Sequence, residues 1–177
     1  MAGLTIFLKL DGINGESTTK GHEKEIEVVS YDQQIDSTVP AGGGGGGAGG
    51  AGKATFSGVR IRKLLDTASI PIALACASGL HIQSARVAFR RPSPPLDFYV
   101  VTLEDVVVTH VGQCATTGIQ SPLAFETLAK SPAGAALLEE VTLHFGKIRW
   151  EYRPGGRKGQ APPPIIGGWD VKANRKL

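Results

Sequence analysis

The stretch Pro40–Asp66, PAGGGGGGAGGAGKATFSGVRIRKLLD, admits two opposed folds. Gly47, Gly52 and Lys53 stand at the G-x-x-x-x-G-K spacing of a phosphate-binding loop, which would place a helix directly after Lys53 and make the chain α/β. The residues beyond Lys53 read otherwise. Ala54 has no hydroxyl to hold a magnesium ion, and Val59 and Ile61 alternate with Arg60 and Arg62 at a strand's period of two. No aspartate follows an apolar strand in the manner of a Walker B site. The glycine tract (40–53) therefore reads as a loop between strands.

Working outward, the same alternation recurs. Leu4, Ile6, Leu8 and Leu10 alternate with Thr5, Phe7 and Lys9, as do Ile26 and Val28 with Glu25 and Glu27. Ala85, Val87 and Phe89 alternate with Arg86, Ala88 and Arg90. FYVVTLEDVVVTHV (98–111) is dense enough for a strand or hairpin buried on both sides. In EEVTLHFGKIRWEY (139–152) the apolar set moves from odd to even positions, which predicts a bulge at Gly146. Trp169 and Val171 predict a last strand.

SIPIALACASG (69–79) is the exception: a short helix with Ser69 as N-cap, Pro71 in its first turn and Gly79 as its left-handed stop. It is apolar enough to require a sheet beneath it. The expected architecture is mainly β: a tight barrel of two antiparallel sheets with one short helix docked on its flank. At 177 residues, with 24 glycines and 11 prolines, the whole chain 1–177 reads as a single loop-rich domain.

The chemistry-bearing residues are sparse. A net charge of +3 is too mild for a nucleic-acid surface. Cys76 and Cys114 have no metal-ligand or disulfide spacing, and the longest apolar run, Ile70–Ala77, is too short to span a bilayer. MAGLTIFLKLDG shows no secretory leader, so the chain is expected in the cytoplasm when made. His22, His81, His110 and His144 are dispersed; His22 beside Glu16, Glu23 and Glu25 reads as part of a solvated charged face. There is no G-x-S-x-G elbow. No catalytic, cofactor or metal residue is assigned.

Taken in order, FLKLDGINGES (7–17), the glycine loop closing in GK, LLDTASIPIALACASGLHIQSARVAFRR (64–91), FYVVTLEDVVVTHV, EEVTLHFGKIRWEY and GGWDVKAN (167–174) resemble the haemolysin-coregulated protein family, Hcp, the tube protein of the bacterial type VI secretion system. The resemblance implies a homohexameric ring, stacking of rings into a hollow tube, a contractile sheath around it, a spike protein at its tip and effector proteins in its lumen. It implies assembly in the cytoplasm and export by the apparatus itself without a signal peptide, with neither nucleic-acid binding nor direct membrane insertion. On this reading Gly42, Gly47, Gly52 and Lys53 form a ring-stacking loop, and Asp32 and Gln34 face the lumen; an ordinary solvent-facing turn is the competing reading for that last pair.

The chain departs from the family across an atypical insertion at about 112–140. There SPLAFETLAK (121–130) reads as a helix whose Leu123, Phe125 and Leu128 either pack on the core or contact a partner. The alternatives to a secretion tube are a tail-tube protein of a phage or related injection machine, a nucleotide-binding enzyme built on the glycine loop, and a small-ligand β-barrel.

Overall fold

The computed structural model describes residues 3–37, 54–116, 136–155 and 162–177. In chain order the elements are β1 (Thr5–Leu10), β2 (Ile26–Asp32), β3 (Ile35–Ser37), β4 (Ala54–Phe56), β5 (Val59–Leu64), α1 (Ser69–Ser78), β6 (His81–Pro92), β7 (Pro95–Thr116), β8 (Ala136–His144), β9 (Lys147–Tyr152), β10 (Ile165–Asp170) and β11 (Arg175–Lys176). Nine strands form one antiparallel sheet in the order β11-β10-β9-β7-β6-β1-β2-β5-β8, and β8 also pairs with β7. That last pairing closes β7-β6-β1-β2-β5-β8 into a barrel. β9, β10 and β11 continue from the first half of β7 as an outlying wing, and β3 pairs with β4 as a separate ribbon.

Period two decides what enters the barrel. Leu8, Ile26, Val59, Ile61, Val87, Leu103, Leu143 and Ile148 are wholly buried in one cluster. The residues between them face outward. FYVVTLEDVVVTHV is part of a single long strand rather than a hairpin, and both of its faces are buried only at Val100 and Val101.

The change of phase expected at Gly146 is real, but its cause is not a bulge. In β6 the inward residues pass from Ile82 to Ala85, in β7 from Leu103 to Val106, and in the run β8–β9 from Leu143 to Ile148. All three strands change phase along one line. Asp105 sits at φ 56 on that line, and the N–H of Gly146 donates to the carbonyls of Glu104 and Asp105. Pairing continues with the same offset on both sides, Val107 with His144 and Glu104 with Lys147, so no residue is extra. A Cβ on Gly146 would lie 2.9 Å from the Asp105 carboxylate, which is why glycine stands there. The line is a corner at which the sheet folds over its own core.

α1 closes one mouth of the barrel with Ile72 and Ala75 in the core, and Gly79 stops it at φ 65, ψ 28. Ser69 is not its N-cap. Ala68 holds that position without a side-chain bond, and the turn is closed by Asp66, whose Oδ1 accepts from the Ala68 N–H at 2.9 Å. The Ser69 hydroxyl is instead drawn inward, onto an ion pair. Lys63 and Glu139 are directly paired across β5 and β8, both point into the barrel, and both are buried. The Lys63 ammonium lies 2.7 Å from Glu139 Oε2, 2.7 Å from Asp66 Oδ1 and 2.9 Å from Ser69 Oγ. Glu139 also accepts from the Ser69 hydroxyl and, at 2.6 Å, from the Gln113 amide on β7. Burial pushes the Glu139 carboxyl up, but hydrogen bonds from Lys63, Ser69 and Gln113 together outweigh it and hold the group below its ordinary range.

This pair makes stability sensitive to substitution and to acid. Lys63→Met leaves Glu139 charged and uncompensated in a dry site, and urea unfolding should show a loss of about 3–5 kcal/mol, with Lys63→Met/Glu139→Leu recovering much of it. Because the folded carboxyl titrates below the unfolded one, its contribution is complete above the unfolded value near pH ~4.3 and is lost as pH falls through the folded value. Stability measured from neutrality into acid should drop over that window, less steeply in Glu139→Gln.

Candidate functional site

Asp32 and Gln34 meet at the root of the β3–β4 ribbon. A register shift in β2 between Val28 and Ser30 turns Tyr31 toward the core and leaves Asp32 exposed, opposite Arg60. Arg60 and Arg62 both reach Glu140 on their other neighbour, at 3.7 and 2.9 Å, so this outward face carries a cross-strand row of alternating sign. The Gln34 backbone is pinned, its N–H donating to Ser57 Oγ at 2.8 Å and its carbonyl accepting the Ser57 N–H at 3.0 Å, while the residue remains exposed. Phe56 then packs edge-on against Phe145 and stacks on Trp150, with centroids 6.2 and 6.5 Å away. The ribbon therefore leaves the barrel from a fixed base.

Gly42, Gly47, Gly52 and Lys53 lie outside the described residues. The chain directly after Lys53 is nonetheless strand: Ser37 pairs with Ala54 and Ile35 with Phe56. A phosphate loop needs a helix N-terminus at that point, and an antiparallel strand presents no such dipole.

Both ends of the stretch 112–140 are strand. Gly112–Thr116 and Ala136–Glu140 are paired strand, and β8 keeps its second partner β5 as far as Leu138, so Gly112–Cys114 and Leu138–Glu140 belong to the barrel. Leu123, Phe125 and Leu128 lie outside the described residues.

Two exposed apolar surfaces emerge that period and composition did not single out. On the wing, β11 pairs only with Trp169 and Asp170, so among the described residues the outer edge of Ile165–Gly167 carries no strand. Ile165 is 65% exposed and Ile166 56%, on opposite faces of that edge. On the far side of the barrel, Ile70 and Leu74, one helical turn apart on the outer face of α1, are 65% and 64% exposed.

Elsewhere a groove of about 770 Å³ is lined by His81, Glu104, Asp105, Lys147, Asp170 and Lys172 among others. Hydrogen bonds from Lys172 and His81 hold the Asp105 carboxyl below its ordinary range. Lys147 reaches Glu104 at 3.4 Å, His81 and Lys172 share Asp105, and Asp170 accepts the Ala173 N–H at 2.8 Å. Among the described residues no His, Cys, Asp or Glu group of three is placed to hold a metal ion. His22 departs most from its expected place. It is 2% exposed, not part of a solvated face, and its partners are Glu25 and Asp97 rather than Glu16 or Glu23. The alternation had no means to reveal this, because Asp97 arrives from another strand.

Comparison with known proteins agrees with this architecture. The family model described as "Type VI secretion system effector, Hcp" matches residues 7–152. Protein hcp1 of Pseudomonas aeruginosa is 27% identical over 172 residues, covering 96% of this chain and 96% of its own length. The crystal structure of Hcp1 from Salmonella typhimurium superposes with a TM-score of 0.75 at 30% identity, over 100% of both chains. A structure titled as a type six secretion system protein reaches 0.81 at 25% identity, over 99% of this chain and 100% of that one. With the barrel, the docked helix and a family match across most of its length, this chain belongs to the Hcp family of the type VI secretion system.

Proposed function

We propose that the chain works without catalysis, as a subunit of a homohexameric ring whose rings stack into the secretion tube. The observation that carries the reading is the outer edge of β10, which among the described residues carries no strand along Ile165–Gly167. An unpaired strand edge with isoleucines on both faces is a liability in a lone molecule and an asset in one that is always paired. A closed ring needs two different patches on each subunit, and the Ile165–Gly167 edge and the outer face of α1 are two such patches. Asp32 and Gln34, on a charged outward face, suit the wall that meets effectors in the lumen. Gly42, Gly47, Gly52 and Lys53, between β3 and β4 in the chain, are assigned to contact with the next ring, with the spike and the sheath at the ends and outside of the tube. Leu123, Phe125 and Leu128 are assigned to a partner contact of this chain's own.

Membership of a secreted family suits assembly in the cytoplasm followed by export through the apparatus. Among the described residues no helix is long and apolar enough to cross a membrane.

Negative-stain images of the purified protein should show annular particles; monomers alone at high concentration would sink the ring. Ile165→Asp/Ile166→Asp should convert rings to monomers in analytical ultracentrifugation while leaving the far-ultraviolet spectrum unchanged. Phe56→Ala frees the ribbon from Phe145 and Trp150, so rings should persist while the average stack shortens at least twofold in micrographs.

A further inference from the structure

The core accounts for only one face of the sheet. Phe7, Ala88 and Val100 lie in the outward phase of β1, β6 and β7, in register with one another, yet they are 1%, 0% and 6% exposed. The segment 13–25 covers Phe7. It is knitted to itself by Gly15 N–H to the Lys24 carbonyl at 2.8 Å, Lys24 N–H to the Ser17 carbonyl at 2.7 Å and Ser17 N–H to the Glu25 carbonyl at 3.0 Å. One end of it is tied to Thr67, whose N–H donates to Glu16 Oε1 at 2.9 Å; the other is seated by His22, whose ring stacks on Phe7 with centroids 4.2 Å apart and planes 7° from parallel.

Both ring nitrogens face carboxylates. Nδ1 lies 2.6 Å from Glu25 Oε2 and Nε2 lies 2.9 Å from Asp97 Oδ1. A neutral imidazole has one N–H donor and one lone pair, so it can satisfy only one of two ionised carboxylates. Asp97 is firmly ionised. Burial pushes its carboxyl up, but hydrogen bonds from Arg86 and His22 outweigh that and hold it below its ordinary range. Arg86 donates to Oδ2 at 2.9 Å and Arg90 approaches Oδ1 at 3.5 Å, both from β6. From β1 the ring meets only the Phe7 face. From its own segment Glu25 lies against Nδ1, and the His22 charge also acts on Glu23.

We propose that segment 13–25 is a proton-held cover, seated on the outer face of β1, β6 and β7 by a doubly protonated His22 and released as that ring loses a proton. Geometry sets the sign. Protonation supplies the second donor, so the cover is held on the acid side of the ring's titration. On the alkaline side a lone pair confronts a carboxylate oxygen at hydrogen-bond distance, with no room for water between them. Release bares Phe7, an apolar surface separate from the β10 edge and the α1 face. The device does not depend on ring formation.

Two measurements on the intact protein test it. Nitrogen-15 spectra of the His22 ring at neutral pH should show both nitrogens protonated. Amide exchange at Gly15, Ser17 and Lys24, normalised to intrinsic rates, should quicken by up to about tenfold per unit as pH rises through the ring's titration, while Leu8 and Val87 stay protected. Glu25→Gln, whose amide can donate to an unprotonated Nδ1, should flatten that dependence and keep the cover seated. A ring with one proton-free nitrogen in the neutral folded protein would overturn the proposal. So would protection of the segment that stays level across the titration, or a Glu25→Gln protein that releases it as the native protein does.

Discussion

A buried ammonium held between two carboxylates organises this molecule. Lys63, Glu139 and Gln113 form one inward row across β5, β8 and β7, at the mouth that α1 closes. Removing a lysine from water is costly, and only near-complete satisfaction of its charge makes the site tolerable. That requirement fixes several things together: the register of three strands, the inward turn of Ser69, and the position of Asp66 where the chain enters the helix. Apolar packing alone would tolerate slippage here. The ion pair does not.

The second constraint is geometric. A barrel must turn its sheet over, and here the turn is concentrated on a line through Ile82–Ala85, Asp105 and Gly146, where three strands change phase without changing offset. Beyond this corner β6 and β7 remain in the barrel, with Val87, Val101 and Leu103 in its core, while β9 takes up the other edge of β7 and begins the wing. In a protein of the type VI secretion Hcp family, closure of the barrel provides the stable unit; among the described residues the outer edge of Ile165–Gly167 carries no strand.

Much of the barrel is legible in the chain. β1, β2, β5 and β6 come from alternation that shows in any window of six residues, and the Gly79 stop comes from the glycine itself. The phase change near Gly146 is also visible, although a single chain cannot distinguish a bulge in one strand from a matched break in three. The candidate surfaces are less legible. Asp32 and Gln34 do share a location, the ribbon root, but what pins them is Ser57, 23 residues beyond Gln34. The open edge is invisible, because whether a strand has a neighbour is a property of the whole sheet.

The sequence by itself determined the local features: which residues alternate, where the helix stops, and that a strand rather than a helix comes after the glycine tract. These depend on backbone preference and on side chains a few positions apart. Only the tertiary structure decided the fate of the charges. Lys63 meets Glu139 across 76 positions, and His22 meets Asp97 across 75. Each looked like an ordinary solvated residue in its own segment. Whether a charge is buried depends on which distant group arrives to compensate it, and folding alone brings those groups together.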